Sequence, residues 1–337
     1  MPDATIEPVS EQQFLAATRG GMPEPEAIGA GLWSLPMPMP GGSLAYTLAA
    51  VHVDAGGAVT LIDPGWDLPE SFERLREFLR SIGRDVEDVR TVVVTHAHQD
   101  HLGLAAVVRE VSGAAVILSA REKRSAEAFA SASLDPVALL ADWGVPPSVA
   151  EPLVERRRGR ASHVPEVDAD AVLLEDGDAI PVQGADWRVL LTPGHTAGHL
   201  CIVDAERRIL FSGDHVMPTV FPGIGLGGRL ETNPVADYLA SLDRLEPYDD
   251  YEVVPGHGYR FRGLRRRRTE ASDHIRRRAR EVAAVVATEP DASTWTIASR
   301  LTWTAGWERL TRSSMLLSAL AQTELYRDFV TQETGAD

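Results

Sequence analysis

The chain has 337 residues, with 33 Lys plus Arg against 49 Asp plus Glu, a formal net charge of −16, and 44% apolar and 24% charged residues. That balance is ordinary for a folded domain and excludes wholesale attraction to nucleic acid or to an anionic membrane surface. The lone cysteine, Cys201, excludes an intrachain disulfide, no window reaches the ~20 apolar residues of a membrane span, and the acidic residues 1–13 lack the apolar core of a signal peptide, so a cytoplasmic protein is expected.

Residues 44–53 and 58–62 read as two strands around the turn Asp54-Ala55-Gly56-Gly57, and Asp63-Pro64-Gly65 ends the second. Phe72, Leu75, Leu79 and Ile82 predict a helix over 69–82 that stops at Gly83. The apolar run at 91–95 is a short strand, followed by a helix over 102–111 and a strand over 115–119. This alternation predicts an α/β layered fold. Residues 121–165 are polar and interrupted by Pro136, Pro146, Pro147 and Pro152; they read as two or three inserted helices that wall or cover a cleft. Strands resume at 171–174, 187–192, 200–204, 208–211 and 252–254. Beyond residue 262 the texture is helical, with helices over 263–288, 293–301 and 313–329. Leu316, Leu320, Leu325 and Phe329 there must bury against something, while the arginines of 265–280 are expected to face solvent. The chain therefore divides into a main domain, 1–262, and a small helical C-terminal domain, 263–337.

Chemistry concentrates in seven residues: His96, His98, Asp100, His101, His195, Asp214 and His257. Each group of them follows a predicted strand, where sheets converge ligands. His96 and His98 are two apart, so extended backbone points both imidazoles one way, while Asp100 and His101 can face a second point after the chain turns. Pro193-Gly194 permits a tight turn that aims His195 inward, Gly213 allows close approach beside Asp214, and His257 lies between Gly256 and Gly258. Imidazole and carboxylate at this density describe a site for two divalent metal ions, zinc first, with iron or manganese as alternatives.

These motifs, with Asp63 after its strand, run in order over residues 30–262 and resemble the metallo-β-lactamase-fold hydrolases. The resemblance implies a four-layer αββα sandwich with the site at one edge of its two sheets. It implies His96, His98 and His195 on one ion, Asp100, His101 and His257 on the other, Asp214 bridging, and Asp63 beside the histidine loop without ligating. A hydroxide held by the two ions would attack the substrate, with Asp100 and Asp214 as the catalytic carboxylates. The common β-lactam hydrolases carry a cysteine on the second metal, where this chain has Asp214. It therefore looks more like the glyoxalase II, lactonase, thioesterase and RNase Z branch, and hydrolysis of a small thioester or ester is expected. The alternative is a metal-dependent endoribonuclease or phosphodiesterase; a catalytically dead binding protein is a third reading, against which the complete ligand set speaks. The C-terminal region resembles the winged-helix-like tail of the β-lactamase-like protein 2 group, some members of which are endoribonucleases. The arginine-rich segment 260–280 could contact phosphate, but no aromatic side chains are interleaved for base stacking. The expected partner is a small-molecule substrate, with nucleic acid disfavoured, no membrane, and a homodimer allowed.

Of the remaining candidates, His199 and Cys201 read as structural, Tyr259, Phe261 and Trp143 as core or cleft wall, and His52 and His215 carry no motif.

Overall fold

The computed structural model describes residues 5–41, 44–131, 135–158, 167–228, 231–304, 306–313 and 315–334. Residues 1–4, 132–134, 159–165, 305, 314 and 335–337 of the expected segments lie outside these. The first half of the chain supplies β1 (Glu7–Pro8), α1 (Glu11–Arg19), β2 (Glu26–Gly29), β3 (Leu32–Pro38), β4 (Tyr46–Val53), β5 (Val59–Ile62), α2 (Pro69–Ser81), β6 (Val89–Val93), α3 (Gln99–Leu102), α4 (Ala105–Ser112), β7 (Ala115–Ser119), α5 (Ala120–Ser131), α6 (Pro136–Asp142) and α7 (Pro147–Arg158). The second half supplies β8 (Val172–Leu174), β9 (Trp187–Leu191), β10 (Leu200–Asp204), β11 (Ile209–Gly213), α8 (Pro234–Arg244), β12 (Glu252–Pro255), β13 (Phe261–Arg262), α9 (Leu264–Thr288), α10 (Thr294–Ser299), α11 (Trp307–Leu310) and α12 (Leu316–Thr334).

Among the described residues the strands form a seven-stranded sheet, β2-β3-β4-β5-β6-β7-β8, and a six-stranded sheet, β1-β13-β12-β11-β10-β9. Their inner faces meet through Ala50, Ile62, Val93 and Ile117 of one and Val189, Ile202, Phe211 and Val254 of the other. The outer face of the seven-stranded sheet is covered by α2 and α4 through Leu75, Leu79, Leu104 and Val108. The outer face of the six-stranded sheet is covered by α8, α9 and α12 through Tyr238, Leu242, Ile275, Val282 and Leu325. The result is the expected αββα layering, because each sheet buries two apolar faces and helices are the available cover.

Three features that the sequence reading leaves out or places differently have physical causes. First, β3 contains Pro36 and Pro38, which argue against a strand. The strand tolerates them because Pro36 turns its carbonyl outward to Arg74 Nε, away from β4, and β2 pairs no further along β3 than Ser34. No ladder bond needs the missing N–H. Second, the helix expected over 102–111 starts only at Ala105, as α4, because Leu104 N donates to Gly65 O (2.9 Å) and so leaves the helical ladder after α3. Third, the insert helices α6 and α7 do not stand alone as a lid: Leu140, Val145, Leu153 and Val154 pack on Ala298, Leu316 and Leu320 of the C-terminal helices. Trp143 joins that cluster beside Trp295, Trp303 and Trp307.

The C-terminal region is helical, as expected, and carries no strand among its described residues, so the hairpin of a winged helix is not seen there. Its core is continuous with the main domain: Leu264, Ala271, Ile275, Val282, Leu325 and Val330 share one cluster with Val203, Leu210 and Val253. Nor do all its arginines face solvent. Arg267 is 5% exposed and its guanidinium donates to the carbonyls of Met217 and Val220. It also lies 4.2 Å over the ring of Phe221, whose flank stacks on His274 at 4.3 Å between centroids. Among the described residues, no helix is long and apolar enough to cross a membrane.

His274 yields a pH prediction. Burial, then the positive charges of Arg277, Arg278 and Arg267, pushes its pKa down to about 4 from an ordinary 6.5. Between those two values the unfolded chain binds a proton there that the folded chain does not, so stability is lost as pH falls through that window. His274→Asn should therefore show a smaller drop in urea midpoint from pH 7 to pH 5 than the parent. Equal drops in both proteins would rule out this contribution.

Candidate metal centre

The four loops that carry the seven candidates leave β6, β9, β11 and β12 on the same side of the sandwich, where backbone bonds stitch the two sheets together. Leu200 N donates to Thr95 O (3.0 Å) and Leu48 N to Gly256 O (2.7 Å). Extended backbone through His98, which is also the N-cap of α3, delivers His96 and His98 together, and the first turn of α3 then swings Asp100 and His101 elsewhere.

All seven residues are brought together, in two groups. In one, His96 Nε2 lies 2.8 Å from His98 Nδ1, and His195 Nε2 lies 3.2 Å from the same His98 nitrogen and 3.7 Å from Asp214 Oδ2. In the other, His257 Nε2 lies 3.0 Å from Asp100 Oδ2, and His101 Nε2 lies 3.8 Å from it. Asp214 Oδ1 is 3.5 Å from both His101 Nε2 and His257 Nε2. One carboxylate thus turns an oxygen to each cluster. Ligand-type atoms converge within 4.8 Å of one another in each group, His96, His98, His195 and Asp214 in the first, Asp100, His101 and His257 in the second.

The far nitrogens of four of the five imidazoles are engaged, which fixes their tautomers. His96 Nδ1 donates to Thr95 Oγ1 (3.0 Å), His195 Nδ1 to Gly223 O (2.7 Å), His257 Nδ1 to Tyr46 O (2.9 Å), and His101 Nδ1 to Asp63 Oδ2 (2.8 Å). Asp63 in turn accepts from Thr95 N and Thr95 Oγ1. It holds His101 from behind, at the nitrogen turned away from the other ligand atoms, and is not among the residues of either cluster, in the place the resemblance implied. This outer layer of carbonyl and carboxylate acceptors is what orients imidazoles toward a cation.

The electrostatics fit a cation as well. Burial, reinforced by the neighbouring imidazoles, holds His96 far below its ordinary pKa and pushes His98 down to about 3, so their lone pairs stay free. Burial alone would raise Asp214, but His257 and His101 outweigh it and hold the carboxylate ionised. His101 Nε2, His257 Nε2 and Asp214 Oδ1 are buried without a hydrogen-bond partner. Unpaired buried polar atoms are costly, and divalent ions between them would satisfy all three.

Other histidines are not part of either cluster. His199 accepts the N–H of Asp214 at Nε2 (3.2 Å) and bonds Thr192 Oγ1 through Nδ1 (2.9 Å), a structural task beside that carboxylate. His215 is buried between His199 and Tyr238. Tyr259 and Phe261 belong to the core. Sequence reasoning missed Glu122, a 2% exposed carboxylate at the start of the insert that contacts both loops of the first cluster.

Glycine at 256 leaves room for Asp214 and His101: a Cβ there would sit 2.4 Å from Asp214 Oδ1 and 2.7 Å from His101 Cε1. Gly256→Ala must displace one of them. The variant should lose bound metal to a chelator about tenfold more readily than the parent, and unchanged retention would contradict the tight packing.

Comparisons with known proteins agree with this geometry. The profile of the metallo-beta-lactamase superfamily matches residues 46–257. The chain is 26% identical over 249 residues to the "probable metallo-hydrolase" YqjP of Bacillus subtilis (strain 168), spanning 71% of this chain and 76% of that one. It is 33% identical over 187 residues to an acyl-coenzyme A thioesterase of Gallus gallus, spanning 54% of this chain and 61% of that one. The crystal structure of a metallo-beta-lactamase family protein from Thermus thermophilus superposes with a TM-score of 0.73 at 29% identity, covering 91% of this chain and 95% of that one.

Proposed function

Because this chain belongs to the metallo-beta-lactamase superfamily, and is a metallo-hydrolase by that membership, we propose that it is a two-metal hydrolase of a small thioester or ester. The observation that carries the two-ion reading is Asp214, with Oδ2 toward His195 of one cluster and Oδ1 toward His101 and His257 of the other. His96, His98 and His195 would hold the first ion, Asp100, His101 and His257 the second, and Asp214 both. Three neutral imidazoles suit zinc, and a harder ion such as manganese or iron would be tolerated by the carboxylates of the second cluster.

Two divalent ions held there would supply an acidified water as nucleophile and would polarise a substrate carbonyl. The chain's own residues do the rest. Thr95, Tyr46, Gly223 and Asp63 fix the imidazoles so that no reorganisation is needed when a substrate arrives. Asp100 and Asp214 stay ionised at neutral pH, because His101 and His257 outweigh the burial that would raise them, so both can serve as anionic ligands. The one thiol is no rival nucleophile, since burial pushes Cys201 up to about 12.

A thioester substrate is supported by the likeness to the acyl-coenzyme A thioesterase. An RNA substrate is opposed by the partners that many arginines of α9 already have: Arg265 and Arg268 pair with Asp249, Arg266 with Glu270 and Arg278 with Glu281, and the buried Arg267 donates to backbone carbonyls. The test is a panel of acyl thioesters, lactones, a phosphodiester and a β-lactam with the metal-loaded protein. Thioesters or lactones should turn over fastest; preferential phosphodiester cleavage that falls steeply with salt would replace this reading with the nuclease one.

A further inference from the structure

Glu122 lies outside the ligand set, yet no other side chain described touches both loops of the three-histidine cluster so directly. Its Oε1 accepts the N–H of Ala97, the residue between His96 and His98 (2.8 Å). Its Oε2 accepts from Thr196 Oγ1 (2.8 Å) and Gly198 N (2.9 Å), in the turn that carries His195. Ser119 completes the joint by donating to Gly198 O (2.6 Å) and accepting the N–H of Glu122 (2.9 Å). The approach is close enough that a Cβ on Gly198 would fall 2.0 Å from Glu122 N. The second cluster has separate supports, Asp63 for His101 and Tyr46 O for His257.

From this division we infer that Glu122 is a positioning residue for the first metal ion alone, clamping the His96–His98 segment and the His195 turn in mutual register. The inference rests on the two-ion reading above. A carboxylate is the group the site requires. Ala97 and Gly198 both present N–H groups, one to each oxygen, so both atoms must accept. Glutamine has the same shape but turns its NH₂ toward one of those donors, and the two loops lose their common anchor. The role is confined to geometry, because Glu122 is outside the ligand clusters and both of its oxygens are engaged by donors of the two loops.

The test uses full-length protein loaded with Co²⁺. Four imidazole N–H protons sit in hydrogen bonds and report the two ions separately by their hyperfine-shifted proton resonances: His96 and His195 for the first, His101 and His257 for the second. Chelator competition gives the two affinities. Glu122→Gln should weaken the first ion about ten- to hundredfold, the range for lost outer-layer partners, and move the His96 and His195 resonances. The second ion's affinity and the His101 and His257 resonances should stay as in the parent. Glu122→Asp, which keeps a carboxylate, should recover part of the loss. Thr196→Val, which removes one donor of three, should show a smaller change at the same ion, and it decides the matter if Glu122→Gln does not fold. Equal weakening of both ions, or an unchanged first ion, would overturn the positioning role. A parent protein that binds fewer than two ions would instead overturn the two-ion reading, and this inference with it.

Discussion

Asp214→Ala should release both ions and lower hydrolysis by roughly three orders of magnitude or more, because nucleophile and Lewis acid both depend on them. The carboxylate is the only member of the set placed between the clusters, with one oxygen toward each. The loop itself should survive, since it is held by backbone: Asp214 N donates to His199 and Gly256 N donates to Gly213 O. Asp100→Ala removes an oxygen from the second cluster only and should cost one ion. Elemental analysis after dialysis, with circular dichroism to verify folding, separates these outcomes. An Asp214→Ala protein that keeps two ions, or more than a few per cent of the parent's turnover, would contradict the bridging role.

Arg267→Met should destabilise the fold by about 3 kcal/mol, the loss expected when a buried charged donor leaves two carbonyls unpaired. Met217 O and Val220 O lose their donors and Phe221 loses its covering guanidinium. The effect should reach the metal centre, because the same loop continues to Gly223, whose carbonyl holds His195, and Gln322 of α12 accepts the N–H of Ile224 next to it. The C-terminal helices therefore support the site and do more than cover the main domain. Reversing Arg266, Arg276 and Arg277 to glutamate should by contrast change stability and hydrolysis little, since all three are exposed. Denaturant unfolding of both variants checks the contrast; equal losses would mean that burial does not distinguish Arg267 from its neighbours.

The candidate metal centre was legible because its residues stand in short motifs, each after an apolar strand. His96 to His101, His195, Asp214 and His257 need only that β6, β9, β11 and β12 end on one side, which α/β layering enforces. Glu122 was not legible. Its partners lie 25, 74 and 76 residues away, and a lone glutamate in a polar helix has no local pattern. Arg267 could have been found. Leu264, Arg267, Ala271, Ile275, Ala279 and Val282 form the buried stripe of α9, and continuing that helical period through the arginine run places Arg267 inside. The helix α8 also left a signal in Asn233-Pro234, where Asn233 Oδ1 accepts the N–H of Val235 and Pro234 opens the first turn. β3 was hidden by its prolines, whose tolerance depends on which edge of the strand lacks a neighbour.

The most direct test of the account is an anomalous difference map at the zinc edge from crystals grown with zinc. The account predicts two peaks flanking Asp214, one among His96, His98 and His195 and the other among Asp100, His101 and His257. A single peak, or a second peak away from Asp100, His101 and His257, would contradict it.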